Sequence, residues 1–571
     1  MGARMPFTLS LARQTGTEPQ SPAALFDRVS QARRQAPALH LVPAAAERYG
    51  QPPALWRYGE LDEVITGLAR RYGAAGIVAG HRVGLLLDNR PDLFAHFLAL
   101  NRLGASIVPI GPDEEVEGVA YRLAMSRVPL VVAAEAHRER LRAALSRMAE
   151  QPRVFFLTAE ASMDPERFTP PSIATPPNFS PAAGEAEREA AILFTSGTTG
   201  RPKGCVLTNA YFAALGRWYV RQGGLMALGR EERLITPLPA HHMNTLACAF
   251  MGMLAAGGCL VPLDRFHPSS WWQAVAEAEA TIVHYLGVMP AILLDLPPGS
   301  GEEAAKTVRF GFGAGVAPRH HAAFEERFGF SLIEAWAMTE TGAGACIAAS
   351  REPRHVGTRC FGRPEPGLGV RIVDEAGRPV GPGEAGELLV RRLDGDPRAG
   401  FFAGYLDDDA ETERAWAGGW FHTGDVVRQD EHGFLYFVER RKNIVRRSGE
   451  NIAAAEVEEA LLQSAGVAAV AVIPLEDDLR GEEVAALVVP SRDVSNPAAV
   501  AESLVRETAR RLSYYKLPGW ISFVDSLPTT ATQKIDRGAV RRLGRELAEA
   551  GAFVDLRSLK AKLRPDRRKT G

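Results

Sequence analysis

The stretch TSGTTGRPKG at 195–204 sets four hydroxyl residues, Gly197, Gly200, Gly204 and Lys203 directly after the apolar run AAILF. A loop leaving a strand end can turn backbone N–H groups and hydroxyls toward phosphate oxygens, and a lysine adds a point charge. The glycines permit the close backbone approach that such contacts need. The spacing is not the Walker form: Lys203 follows Gly200 by three positions, and Gly204 stands where that pattern has Ser or Thr. Taken alone, such a cluster is more often a solvated turn than a phosphate cradle. Four further stretches bear on it: EAWAMTET (334–341), HTGD (422–425), ERRKNIVRRSGENIAAAEVE (439–458) and LPTTATQKIDR (527–537).

The elements around these stretches must hold them in place. Residues 60–110 alternate helical patterns (LDEVITGLARRYGAAG, PDLFAHFLALNRLGA) with apolar strands (HRVGLLLD, SIVPI), and PLVVAA and TIVHYLG continue the rhythm. That is the α/β signature of largely parallel sheets wrapped by helices. Residues 165–185, rich in Pro, Ser and Thr, read as a surface connection. From about 357 to 441 the texture turns to short strands with Gly turns, predicting a smaller antiparallel, β-barrel-like unit. Residues 442–571 have the size and mixture of a small α+β domain. The expected organisation is therefore a large domain over 1–441 and a small mobile domain over 442–571. No internal repeat is visible.

At 571 residues the chain is too long for a single core. Its 46% hydrophobic and 23% charged residues are those of an ordinary globular protein. With 66 Lys+Arg against 68 Asp+Glu there is no global basic field for nucleic acid, and the basic end KAKLRPDRRKTG reads as a solvated tail. The five cysteines are scattered without a C-x-x-C pair, so neither a disulfide framework nor a zinc site is indicated, and a reducing cytoplasm fits. The start, MGARMPFTLSLARQTG, has no secretory pattern. Residues 240–263 carry no formal charge and could span a bilayer by length. His241, His242, Asn244 and the Gly257-Gly258 break make them a buried helix followed by a strand instead.

Taken together, the five stretches resemble the adenylate-forming superfamily of acyl-CoA synthetases, aryl-CoA ligases, luciferases and peptide-synthetase adenylation domains. The likeness runs over 20–545, and the 434–458 and PLPAHH segments look most like crotonobetaine/carnitine–CoA ligases and their neighbours. The resemblance implies two half-reactions: a carboxylate attacks the α-phosphate of Mg-ATP to give acyl-adenylate and pyrophosphate, then a thiol displaces AMP. Attack of an anion on a polyanion needs positive charge and metal more than a strong base.

By that resemblance Thr195, Ser196, Gly197, Thr198, Thr199, Gly200 and Lys203 hold the β- and γ-phosphates. Thr339 meets the α-phosphate, and Glu340 ligates Mg2+. Trp336 takes the adenine-stacking place usually held by Tyr, and Ala337 replaces the usual Gly. Gly315, Val316, Ala317 and Pro318 line the adenine and acyl pocket, while Asp425 and Arg440 contact the ribose. Lys534 reaches the carboxylate and α-phosphate, with Gln533 where the family has Gly. The hinge falls at Lys442, and rotation about it brings in the RRSGEN loop, with Ser448 and Gly449 near pantetheine and Arg446 and Arg447 near the nucleotide phosphates. His242 stands at the mouth of the acyl pocket, after His241 in place of the usual Phe. The pocket itself is assigned to Met243, Asn244, Thr245, Cys248, His284, Tyr285, Gly287, Gly313, Ala314 and Met338, a mixed lining that suits a small or medium acid.

The implied reaction partners are a carboxylic acid, ATP with Mg2+, and coenzyme A. No nucleic acid and no membrane span are expected, and a homodimer is left open. The alternative is a stand-alone adenylation enzyme that loads a carrier protein. No carrier domain follows Lys534 in the sequence, and no acidic residue beside His242 would hold a substrate amine. A non-catalytic nucleotide binder, suggested by Ala337 and Gln533, conflicts with retention of Lys203, Glu340, Asp425, Arg440 and Lys534.

Overall fold

The computed structural model describes residues 18–178, 184–195, 202–229, 231–299, 301–448, 450–477, 480–530 and 534–563. The apolar runs form strands and the amphipathic stretches form helices, giving a mixed α/β protein with a large N-terminal part and a smaller C-terminal one. It divides into two compact units. The first comprises Met1–Val370, Val390–His422 and His432–Tyr436; the second comprises Arg371–Leu389, Thr423–Glu431 and Phe437–Gly571. The division differs from the linear boundary at 441/442. Segments of the Gly-rich β region join the second unit, where Glu387 accepts from Arg441 at 2.8 Å and Glu375 pairs with Arg446 at 3.2 Å.

The first unit holds two large sheets. In the seven-stranded sheet Arg82–Leu86, Ser106–Pro109, Leu130–Ala134, Arg153–Leu157 and Glu189–Thr195 run parallel. Lys203–Thr208 and Gly404–Tyr405 add antiparallel strands at one edge. The eight-stranded sheet has a parallel centre of Arg233–Thr236, Cys259–Pro262, Ile282–Leu286, Phe310–Ala314 and Ser331–Trp336. Parallel strands buried on both faces read as continuous apolar runs, which is why AAILF and LVVAA carry no alternation. The uncharged segment 240–263 resolves into a π-helical turn at Asn244–Ala249, a helix at Phe250–Ala256 and a strand at Cys259–Pro262. No helix among the described residues is long and apolar enough to cross a membrane.

A five-stranded sheet is built from Cys360–Gly362, Leu435–Arg440, Phe421–Gln429, Ala385–Arg392 and Leu368–Val373. In the second unit, the hairpin Ile444–Arg447/Glu450–Ala453 and the long pair Val467–Asp477/Gly481–Pro490 belong to a six-stranded sheet with Trp520–Phe523 and Val554–Asp555. Its core gathers Val445, Ile452, Val457, Leu461, Val472, Val488 and Ile521.

Candidate functional site

In the first unit the candidate phosphate loop joins the pair Glu189–Thr195 and Lys203–Thr208, whose last rung sets Thr195 opposite Lys203. Ser196, Gly197, Thr198, Thr199 and Gly200 lie outside the described residues. The two flanking residues meet a charged cluster. Thr195 Oγ1 donates to Glu340 Oε1 at 3.5 Å, and the Tyr405 hydroxyl donates to the same oxygen at 3.1 Å. Glu340 is only 6% exposed. Lys203 pairs with Glu411 and lies 4.9 Å from the centre of the Tyr405 ring. The Lys203 hydrogen bond, with Arg414 adding to it, holds the Glu411 carboxyl below the ordinary carboxylate range. Burial, reinforced by the Glu340 charge, raises the Tyr405 phenol, so this group stays a neutral donor. Tyr405 and Glu411 arrive because Gly404–Tyr405 pairs with Val206 and Cys205.

Thr339 and Glu340 sit in a tight turn: the N–H groups of Thr341 and Gly342 donate to the Met338 carbonyl at 3.2 and 3.1 Å. The Thr339 carbonyl accepts the Tyr211 hydroxyl at 2.9 Å. Trp336 is buried against Phe361, with ring centres 6.1 Å apart.

The turn Ala314–Ala317 leaves the strand Phe310–Ala314 and enters the helix Pro318–Phe328, which Pro318 starts. Its anchor is Glu334. One carboxylate oxygen accepts from the Gly315 N–H at 3.0 Å; the other accepts from the Val316 N–H at 3.2 Å and the Tyr285 hydroxyl at 3.0 Å. Gly315 takes a φ of +84° there. Gly287 is forced to be glycine, since a Cβ on it would come within 1.7 Å of the Gly315 carbonyl oxygen.

His284 accepts or donates between Asn244 Oδ1 at 2.8 Å and the Tyr219 hydroxyl at 2.9 Å. Burial pushes its pKa down to about 3, so the ring is neutral. Tyr285 does not join this group. Strand side chains alternate, and the tyrosine points to the opposite face, into the core containing Val283 and Leu332. Thr245 donates inward to the Leu238 carbonyl at 2.7 Å, and Cys248 is buried. His242 is exposed, with its ring 4.3 Å from the half-buried His241. Burial, then the charges of His242 and Arg122, hold His241 well below the ordinary histidine value. Gly111 makes room for it, since a Cβ there would lie 3.0 Å from the His241 ring.

In the second unit the HTGD segment places Asp425 at the end of a hydrogen-bonded corner. Thr423 Oγ1 donates to the Leu388 carbonyl at 2.7 Å and accepts from the Asp425 N–H at 3.0 Å. Gly424, at φ +66°, donates to Glu387 at 3.2 Å. Asp425 is 1% exposed, and its Oδ1 meets Arg440 Nε at 2.7 Å. The backbone of Lys442 lies in a short turn, Arg441–Asn443, between two strands.

The backbone of Lys534 is tied to Thr530: the Lys534 carbonyl accepts the Thr530 N–H at 2.7 Å, and Thr529 bridges Ile535. The IDR that follows is structural: Asp536 caps the helix Arg537–Glu549 by accepting from Gly538 and Ala539, and Arg537 pairs with Glu458. The Lys534 side chain is exposed at its surface. Crowding by protein, then the Arg440 charge, holds its ammonium below the ordinary lysine value. Arg446 is exposed and Arg447 is not: Arg447 Nε donates to both oxygens of Glu483 at 2.8 Å. Arg447 is thus committed inside the unit rather than offered to a ligand. Gly449 lies outside the described residues, whereas Ser448 is described, at a φ of +50°.

The model for "AMP-binding enzyme" matches residues 26–406, and that for "AMP-binding enzyme C-terminal domain" matches 456–534. The chain belongs to the AMP-binding enzyme family. This AMP-binding enzyme is 28% identical over 507 residues to a crotonobetaine/carnitine–CoA ligase of Escherichia coli, covering 87% of this chain and 95% of that protein. It is 32% identical over 486 residues to a sulfoacetate–CoA ligase of Cupriavidus necator, covering 84% and 91%. Its fold is that of ATP-bound MatB from Rhodopseudomonas palustris, with a TM-score of 0.77 at 24% identity over 92% of this chain and 99% of that one. The o-succinylbenzoate CoA synthetase of Bacillus subtilis, solved with its acyl-adenylate, superposes with a TM-score of 0.72 at 23% identity over 90% and 97%.

Among the described residues no group of three or more His, Cys, Asp or Glu side chains could hold a metal by itself. Magnesium fits the enzyme in another way. It takes one or two carboxylates and completes its shell with phosphate oxygens and water, and Glu340 is one nearly buried carboxylate beside Thr195.

Proposed function

We propose that this AMP-binding enzyme is an ATP-dependent carboxylic acid–CoA ligase, forming acyl-AMP and pyrophosphate and then acyl-CoA and AMP. The observation that carries this reading is the cluster of Thr195, Glu340 and Lys203 around Tyr405, at the two ends of the phosphate loop. Thr195 and the loop would receive the β- and γ-phosphates, with Lys203 exchanging its Glu411 partner for a phosphate oxygen. Glu340 would hold magnesium, which neutralises phosphate charge when bound. Asp425 would accept from the ribose hydroxyls with Arg440 beside it. Lys534, a lysine with a lowered pKa, would steer the acid's carboxylate onto the α-phosphate and carry developing charge there. Turning of the small domain about Lys442 would then exchange Lys534 for the Ser448 loop, which admits the thiol.

The acid would enter past His242 to the Asn244–His284–Tyr219 group. That group is neutral, and no charged side chain stands among the lining residues, which supports a small or medium acid. The acids named for the two relatives are the first to test. A panel of carnitine, crotonobetaine, sulfoacetate, aryl and short- and medium-chain acids with Mg-ATP, with and without coenzyme A, decides it. Pyrophosphate with any acid, and thioester only when coenzyme A is present, is the expected result. Adenylate that never passes to coenzyme A would contradict the ligase reading.

A further inference from the structure

The buried ion cluster of the second unit takes no direct part in the chemistry proposed above, since its Arg447 is turned inward to Glu483. Glu483 is 0% exposed, Lys560 1% and Arg447 4%. Arg447 Nε donates to both Glu483 oxygens at 2.8 Å, and Lys560 Nζ donates to Oε1 at 2.6 Å. The Val484 N–H adds a fourth bond, at 2.9 Å. The seat is tight, since a Cβ on Gly519 would come within 2.4 Å of Glu483. One buried carboxylate thus faces two cations. Such triads are costly to bury, and replacing them with apolar groups is often neutral or stabilising, so stability is a weak reason for this one.

What the cluster does fix is local geometry. Arg447 ends the strand Ile444–Arg447, in register with Glu450 across the hairpin and with Gly481 on the other side. The next residue, Ser448, holds a left-handed φ of +50°, a conformation that a non-glycine residue keeps only when its surroundings over-determine it. Its N–H donates to the Arg480 carbonyl at 2.9 Å. Lys560 comes from the helix Arg557–Lys562, itself tied down by Arg557 to Asp555 and Asp477. Two distant segments therefore hold the residue on which Ser448 turns: Glu483 binds Arg447 directly, and Lys560 fixes Glu483.

We infer that Arg447, Glu483 and Lys560 form a positioning cluster that sets the Ser448 hairpin tip for the thiol half-reaction. This rests on the ligase reading, in which that tip lines the thiol's path. Lys560 and Glu483 touch no substrate; they act through Arg447.

The test uses full-length wild type, Lys560→Met, Lys560→Arg and Glu483→Gln, with an acid accepted by the wild type. Adenylate formation is followed by pyrophosphate–ATP exchange, and thioester formation by supplying the acyl-adenylate with coenzyme A. Exchange should stay within about twofold in Lys560→Met, because the adenylation groups are untouched. A misplacement of about 1 Å costs on the order of 100-fold in a positioned reaction, so thioester formation should fall at least about 10-fold. Lys560→Arg should restore most of it. Lys560→Met reads the same contact by itself should Glu483→Gln fail to fold. Unchanged thioester formation in Lys560→Met, or equal loss of both half-reactions, overturns the inference. A wild type that makes adenylate and passes none to coenzyme A overturns the ligase reading instead, and the inference with it.

Discussion

The two units treat charge in opposite ways. In the first, the candidate phosphate groups are fixed in advance: Glu340 is nearly buried, Tyr405 and Thr195 bind one of its oxygens, and Lys203 is already paired with Glu411. In the second, charges are either sealed, as in Arg447–Glu483–Lys560, or carried at the rim, as with Lys534 and Arg446. Partners held in place lower the reorganisation cost of binding a polyanion, whereas an exposed lysine can be delivered and withdrawn. On the proposed reading, the phosphate groups of the first unit receive, and Lys534 of the second presents.

The largest expected effect tests the presenting side. Lys534→Ala should lower adenylate formation by about 100- to 1000-fold, the loss of one positioned donor. Thioester formation from supplied acyl-adenylate should stay within a few-fold, and equal loss of both steps would erase the contrast. The lowered Lys534 pKa adds a sign: adenylation should decline at alkaline pH before an ordinary lysine would lose its proton, and Lys534→Arg should move that decline upward. On the receiving side, Glu340→Gln should cut adenylation by about 100-fold. It should also raise the magnesium concentration needed for half-maximal rate, and an unmoved magnesium requirement would remove Glu340 from the metal.

Much of this was legible in the sequence, for physical reasons that differ by residue. The α/β rhythm followed from continuous apolar runs, and Thr195, Lys203, Glu340, Asp425 and Lys534 stood in stretches with local signatures. Glu411 and Tyr405 did not, because their partners lie far along the chain: 208 residues separate Lys203 from Glu411. Only the pairing of Gly404–Tyr405 with Lys203–Thr208 brings them together. Glu334 stood inside a quoted motif, yet the two backbone N–H groups it holds belong to another strand's turn. Two further signals lie in the strand pattern. Period-two alternation separates Tyr285 from His284, and the same alternation puts Arg447 with buried Val445 and Arg446 in solvent.

Smaller effects sharpen the comparison. Glu334→Ala strands the N–H groups of Gly315 and Val316, which should cost about 1–3 kcal/mol in thermal unfolding. The loss should appear together with weaker ATP binding, since the turn belongs to the receiving side. The smallest effect concerns the sealed cluster. Burial, with the Arg447 and Arg480 charges adding and Glu483 opposing, lowers Lys560 from 10.5 to about 8. Between those values the unfolded chain binds the extra proton, so wild type should gain stability relative to Lys560→Met as pH rises from about 8 toward 10. Below about 8 both forms are protonated, and the difference should level off.

A solved complex with Mg-ATP and an accepted acid tests the central claim most directly. The account predicts the α-phosphate beside Thr339, with Glu340 on the metal and Lys534 Nζ within about 3 Å of an α-phosphate oxygen or the acid's carboxylate. Nucleotide bound away from the 195–203 loop, or Lys534 remote from the α-phosphate in the adenylating state, would contradict it.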